Sequence, residues 1–174
     1  VFQADPFATM HSGCFTGLEH NTLRDSPINL QWIRSTYGEA GFEQLADLPV
    51  LCSGVTLGGF HSVLAYLDQF CAEISRHAVA RRSVLIPIWD QAYHNMILRR
   101  DPPADLVLMP WYSQLATVGE VPPEALSVEG DGRIAVAHGV PAILHQYDRH
   151  PAAVARIAAL YSPSEAVPAG TLSS

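Results

Sequence analysis

The 174-residue sequence contains no lysine, so its ten basic residues are all arginines. These arginines form only two adjacent pairs, at residues 81–82 and 99–100, and no basic stripe. Proteins that bind nucleic acid neutralise phosphates with clustered positive charge. A net charge of −7 with scattered arginines therefore argues against a nucleic-acid partner.

Long apolar runs and paired cysteines are also missing. The longest runs, such as residues 83–89, fall far short of the roughly 20 residues of a membrane helix, so we expect no transmembrane segment. The three cysteines (Cys14, Cys52 and Cys71) form no CxxC pair, which argues against a structural zinc site. An odd number of cysteines in apolar surroundings predicts reduced, buried thiols in a reducing compartment, and hence a cytoplasmic protein.

The residues that are abundant predict one folded domain. Hydrophobic residues make up 48% of the chain and charged residues 16%, which suits a domain with a sizeable core. The clearest element is a helix after Gly59, because apolar residues recur at helical spacing on one continuous face. That face consists of Phe60, Val63, Leu64, Leu67, Phe70, Cys71 and Ile74.

Shorter patterns predict the other elements. Strands are expected at residues 13–19, 50–52, 106–109, 112–118, 134–137 and 142–146, with an apolar run at 84–88 and a turn at 130–132. Helices are expected at residues 29–37, ended by Gly38, at residues 91–98, capped by Asp90, and from Pro151 to Tyr161. This order predicts an α/β fold with a mixed sheet flanked by helices over residues 1–161, followed by a loose tail at 162–174.

The first polar cluster lies between a strand and the strong helix. Glycines at Gly54 and Gly58 let the backbone approach a ligand closely, while Ser53 and Thr56 can hydrogen-bond sugar hydroxyls. The pattern is neither a dinucleotide fingerprint, nor a phosphate-binding P-loop, nor a nucleophile elbow. A tight strand-to-helix turn without function would have the same sequence.

The second cluster begins at Asp90. If Asp90 starts a helix, then Gln91, His94 and Asn95 share one face, where a carboxylate, amides and an imidazole suit recognition of a polyol. Asp90 can also accept a proton from an attacking hydroxyl. An N-cap followed by an exposed polar face is the simpler explanation.

The third cluster follows the last predicted strand. His145 at the strand end can ligate a divalent metal as a neutral imidazole, and Arg149 can offer its planar guanidinium to a diphosphate. A structural histidine is the alternative. Because open α/β sheets build their sites after the strands, all three clusters are candidates for one site.

These clusters belong to an ordered set of segments that spans roughly Val1 to Tyr161 and resembles a group of GT-A-like glycosyltransferases. The segments are Val1-Phe2-Gln3-Ala4-Asp5-Pro6-Phe7, Phe15-Thr16-Gly17-Leu18-Glu19, Asn29-Leu30-Gln31-Trp32-Ile33, Cys52-Ser53-Gly54 with Gly58, Asp90-Gln91 with His94-Asn95, and His145-Gln146-Tyr147-Asp148-Arg149. In that group the opening segment follows a metal-binding Asp-x-Asp-type motif. The motif is not in this sequence, and Asp5, in an Asp-Pro-Phe turn, is not expected to replace it.

The resemblance implies an enzyme that transfers a sugar from a nucleotide-sugar donor to a glycan or other hydroxyl acceptor, with Mn²⁺ or Mg²⁺. Ser53 and Gly54 would line the sugar or acceptor pocket, Asp90 and Gln91 would face the transferred sugar, and His145 would contact the metal or diphosphate. The sequence then corresponds to the later part of the domain, without its N-terminal nucleotide-binding strands, and we expect little activity from it alone.

Two alternatives stay open at this stage. A metal-dependent hydrolase can use His94, His145 and His150 with nearby aspartates, although the sequence has no HExxH pattern. A glycan-binding or degenerate transferase-like domain would keep the polar clusters without catalysing transfer.

Overall fold

A computed structural model of the chain describes residues 7–11, 22–80, 89–137 and 139–161. Within these ranges the chain forms four α-helices, seven short strands and two 3₁₀ turns. The helices are α1 (Pro27–Leu45), α2 (Phe60–Ala80), α3 (Asp90–Arg100) and α4 (Pro151–Tyr161). The strands are β1 (Phe7–His11), β2 (Leu51–Gly58), β3 (Leu106–Met109), β4 (Leu115–Thr117), β5 (Leu126–Val128), β6 (Ile134–Val136) and β7 (Ile143–His145). The 3₁₀ turns are Pro123–Ala125 and Tyr147–Arg149.

The strands of the described part form three small sheets. The largest has the order β2-β1-β3, in which β1 runs antiparallel to β2 and parallel to β3. Strands β4 and β7 pair in parallel, and β5 and β6 form an antiparallel ribbon. The expected mixed α/β class is therefore confirmed, with the strands divided among three sheets.

Strand β2 is longer than the sequence predicts and contains a bulge of three residues. Thr9 pairs with Thr56 while Met10 pairs with Cys52, so residues 53–55 have no partner in β1. The expected end of this strand at Cys52 is wrong, because pairing with β1 extends the strand to Gly58. The bulge bends this strand and turns its unpaired residues away from the ladder.

Helix α3 is the centre of the fold. Its residues 92–98 are all buried, between the core that it shares with α1 and the core that it shares with α2. Asp90 is not the predicted cap: Trp89 occupies the N-cap position, and no side-chain capping bond forms there. Asp90 is instead the first helical residue, which leaves its carboxylate available to β2.

Helix α2 buries only part of the predicted face. Val63, Tyr66, Phe70 and Ile74 pack towards Tyr93 and Ile97, whereas Phe60, Leu64 and Leu67 are exposed. Glu73 also lies on the buried side, 2.9 Å from Arg100 and paired with Arg76. Cys71 is exposed and Cys52 is buried, so the expectation of buried thiols is wrong for Cys71, and Cys14 lies outside the described residues.

The remaining elements agree with the sequence to differing degrees. Gly38 interrupts α1 with a φ of 74°, as expected, but the chain resumes the helix to Leu45. Strand β4 is shorter than the predicted 112–118, β5 was not predicted, and β3, β6, β7 and α4 lie where the patterns indicate. Predictions for residues 13–19, 84–88 and 162–174 fall outside the described ranges. None of the described helices is long and apolar enough to cross a membrane.

Candidate functional site

Polar side chains of α3 run along β2 and bond to its backbone. Oδ1 of Asn95 accepts a hydrogen bond from the Leu51 amide, and Nδ2 donates to the Leu51 carbonyl, both at 2.8 Å. One turn earlier, Oε1 of Gln91 accepts from the Ser53 amide at 3.4 Å, and Nε2 donates to Asn29. Residues three and four apart share a helix face, so one face of α3 satisfies the start of β2 as a neighbouring strand would.

The bulge of β2 brings Ser53 to the first turn of α3. The Ser53 hydroxyl donates to Oδ2 of Asp90 at 2.9 Å, joining residues that lie 37 positions apart. Asp90 is exposed and Ser53 half-buried. The two lie at a cleft of about 320 Å³ whose other lining residues are Thr56, Val63, Tyr66, Leu67 and Phe70. The pair is therefore accessible to a ligand.

His94 lies behind this cleft with its side chain fully buried. Its Nε2 is 3.1 Å from the Thr9 hydroxyl and its Nδ1 is 2.8 Å from the Tyr66 hydroxyl. Burial lowers the pKa of His94 to about 4, and the charge of Asp90 opposes this shift. His94 is therefore neutral near pH 7.

His145, at the end of β7, lies directly against Gly54 in the bulge. A Cβ atom at position 54 would lie 2.0 Å from Nε2 of His145, so the contact requires glycine. Burial lowers the pKa of His145, and the positive charge of Arg149 adds to this effect while Asp148 opposes it. The geometry brings a half-buried imidazole to the opposite side of the bulge from α3.

A second layer supports the bulge beneath Ser53. The Cys52 thiol lies 3.8 Å from the Thr117 hydroxyl, which donates to Oε1 of Gln146 at 3.3 Å. Burial raises the pKa of Cys52, so this thiol stays protonated near neutral pH. Gln146 adopts a left-handed backbone with a φ of 64°, and its side chain packs against Gly119. These contacts link β2 to β4 and to the turn after β7.

The predicted site residues separate into three groups. Ser53, Gly54, Asp90, Gln91 and His145 come together around the bulge, and the charge of Arg149 acts on both His145 and Cys52. The expected ligand contacts of His94 and Asn95 are corrected, because both side chains are buried and bonded to protein groups. Gly58 lies at the other end of β2, beside Phe60.

Sequence patterns missed Thr9, Tyr66, Thr117 and Gln146. Tyr66 falls between two residues of the predicted apolar face and carries no local signal of function. Thr9 belongs to a strand that the sequence did not predict. Their involvement depends on contacts between distant segments, which a local pattern does not contain.

The described residues do not form a metal centre. No group of three or more His, Cys, Asp or Glu side chains comes together among them. His145 can supply one imidazole, whereas His94 bonds to Thr9 and Tyr66, and Nε2 of His150 donates to the Val118 carbonyl at 2.6 Å. We therefore derive no chemical step through a metal.

The chain has no recognisable similarity to known proteins in these three respects. No protein-family model, no curated protein and no solved structure matches the chain significantly.

Proposed function

We propose that this chain carries the sugar- and acceptor-binding part of a nucleotide-sugar-dependent glycosyltransferase. The observation that supports the proposal most is the convergence of three distant segments on one bulge. Ser53 donates to Asp90 at 2.9 Å, and Gly54 of the same bulge contacts His145. A carboxylate beside an open cleft is the group that such a reaction requires as a base.

The proposed reaction joins an acceptor hydroxyl to the anomeric carbon of the donor sugar. The acceptor oxygen forms the new glycosidic bond, its proton passes to the Asp90 carboxylate, and the nucleoside diphosphate leaves with the electron pair of the broken bond. Ser53 holds the carboxylate in position by donating to Oδ2, and the proposal assigns the acceptor to Oδ1. Gln91 fixes the backbone of Ser53 through its amide.

The diphosphate is assigned to the other side of the bulge. Arg149 is exposed there, and its guanidinium can bond two phosphate oxygens at once. Neutral His145 can contact the diphosphate or a divalent cation such as Mn²⁺ or Mg²⁺. The mixed sheet β2-β1-β3 is compatible with a GT-A-like arrangement, which remains part of the proposal.

Two other functions have different support. A hydrolase centre built from His94, His145 and His150 has little, because Thr9, Tyr66 and Val118 engage two of the three rings. A glycan-binding domain without catalysis would use the same cleft and the same Ser53–Asp90 pair.

A turnover assay with the full-length encoded protein separates these functions. A panel of UDP-, GDP- and dTDP-sugars is supplied with Mn²⁺ or Mg²⁺, and release of nucleoside diphosphate is measured alongside binding by calorimetry. Metal-dependent release from one donor class supports the transferase. Glycan binding without release of nucleoside diphosphate supports the binding domain. The absence of both binding and release would contradict the proposal.

A further inference from the structure

The directions of the hydrogen bonds behind the cleft follow from the bulge in β2. The Thr9 hydroxyl lies 3.3 Å from the carbonyl of Cys52, which precedes the unpaired residues, and 3.4 Å from the carbonyl of Val55, the last of them. A carbonyl oxygen can only accept. The arrangement that forms the most hydrogen bonds directs the single hydroxyl proton of Thr9 to these two groups, and in it the Thr9 oxygen accepts from Nε2 of His94, which carries the proton.

The tautomer of His94 sets the direction of the next bond. A neutral imidazole has one N–H, so protonation at Nε2 leaves a lone pair on Nδ1. Nδ1 lies 2.8 Å from the Tyr66 hydroxyl, and it therefore accepts the phenolic proton. Tyr66 also lines the cleft. With its proton committed to His94, the Tyr66 oxygen has only lone pairs to offer, so it can accept a hydrogen bond but not donate one.

The other side of the cleft has the same polarity. The Ser53 proton is committed to Asp90, and the Asp90 carboxylate is itself an acceptor. Among the described residues that line the cleft, Asp90 alone carries a charge, and Thr56 adds a hydroxyl that can rotate to donate or accept. The ligand must therefore donate hydrogen bonds to the oxygens of Tyr66, Ser53 and Asp90. An anionic ligand would be repelled by the Asp90 carboxylate.

The remaining walls of the cleft are apolar. Val63, Leu67 and Phe70 lie about one helical turn apart on α2 and line the same cleft as Ser53 and Asp90. A monosaccharide matches this combination, because its hydroxyls project from the rim of the ring and its C–H groups form an apolar face. Phosphate and carboxylate groups match it poorly, since they bring acceptors and negative charge.

We infer that this cleft binds a monosaccharide unit through its hydroxyl protons, with Tyr66 as a specificity-determining acceptor held in that state by His94 and Thr9. The inference rests on the proposed function for the identity of the sugar, and it assigns the diphosphate to a position outside the cleft. The direction of the hydrogen bonds from Tyr66 through His94 to Thr9 does not depend on a substrate. It can therefore be measured without an activity assay.

The first experiment measures that polarity in the wild-type chain. Long-range ¹H–¹⁵N correlation NMR at pH 7 identifies the protonated ring nitrogen of His94. We expect a proton on Nε2 and an unprotonated, hydrogen-bonded Nδ1. A proton on Nδ1 would overturn the inference even if the full-length protein proves to be a glycosyltransferase.

The second experiment tests the ligand class by following the Tyr66 ring resonances during titrations. The probes are glucose, galactose, mannose and N-acetylglucosamine, with inorganic phosphate and ethanolamine for comparison. At least one sugar is expected to shift Tyr66 saturably. Calorimetry should show that Tyr66→Phe binds that sugar about fivefold more weakly, the effect of losing one hydrogen bond. Tyr147→Phe, at a tyrosine that lines a different cavity, should leave the affinity unchanged.

Three results would contradict the ligand assignment. They are saturable shifts of Tyr66 with phosphate as strong as those with a sugar, shifts with ethanolamine alone, and equal sugar affinity of wild type and Tyr66→Phe. A full-length protein that releases nucleoside diphosphate while showing one of these results would retain the proposed function and lose this inference.

Discussion

The carboxamide of Asn95 bonds to both backbone groups of Leu51, accepting from the amide and donating to the carbonyl at 2.8 Å each. A side chain of α3 thus takes the place of a neighbouring strand at the start of β2. This bond fixes the distance between helix and strand from which Asp90 reaches Ser53. The candidate site consequently depends on a buried contact that no ligand touches.

Asn95→Ala is expected to lower the free energy of unfolding by about 3 kcal/mol. It leaves the buried amide and carbonyl of Leu51 without their side-chain partner, and each unsatisfied group costs roughly 1–3 kcal/mol. Urea denaturation followed by circular dichroism measures the loss. Gln31→Ala, at an exposed position of α1, serves as the control and should change stability little. Equal stability of the two variants would refute the strand-like role of Asn95.

Gly54→Ala tests the contact between the bulge and His145. The new Cβ would lie 2.0 Å from Nε2, so either the imidazole or the bulge must move. We expect a destabilisation of roughly 1–3 kcal/mol, typical of overpacking, together with a changed NMR environment of the His145 ring. Gly130→Ala is a matched control, because a Cβ there meets nothing within 4 Å. Unchanged His145 resonances in Gly54→Ala would show that the contact is absent.

The burial of His94 predicts how stability depends on pH. Its pKa falls from 6.5 to about 4 on folding, so the unfolded chain binds more protons between these values. Stability from this group is complete above about pH 6.5 and is lost as the pH falls towards 4, amounting to about 3 kcal/mol. His145, whose pKa is also lowered, contributes in the same direction.

Two histidine variants isolate the contribution of His94. Chemical denaturation of wild type, His94→Gln and His61→Gln across pH 4 to 7 should give a flatter profile for His94→Gln alone, since His61 is exposed. If the free energy of unfolding depends on pH with the same slope in all three proteins, His94 is not buried in its neutral form.

Sequence patterns predicted the elements whose signals are local. The periodicity after Gly59, the apolar run of β3, the strand ending at His145 and the helix beginning at Pro151 all appear in the structure. The continuation of β2 to Gly58 was missed, because pairing with β1 outweighs the turn preference of two glycines. The buried face of α2 was predicted only in part for a similar reason, since packing against α3 buries Tyr66 and leaves Leu64 and Leu67 exposed.

Only some residues of the candidate site were predicted, and their arrangement was not. Asp90, Gln91, His94 and Asn95 were expected to form one ligand-binding face of α3. In the structure Asn95 bonds to β2 and His94 bonds to Thr9 of β1 and to Tyr66, and only the first turn of α3 reaches the cleft. Tertiary packing determines which polar residues of a helix face a ligand.

Asp90→Asn in the full-length encoded protein tests the central claim most directly. The amide retains the size of the carboxylate but cannot accept the acceptor proton, so nucleoside diphosphate release is expected to fall by roughly 10²–10⁴-fold. Asp68→Asn, at an exposed position of α2, should release the diphosphate at the wild-type rate. Equal release by wild type and Asp90→Asn, from a protein with unchanged unfolding behaviour, would contradict the account of this site.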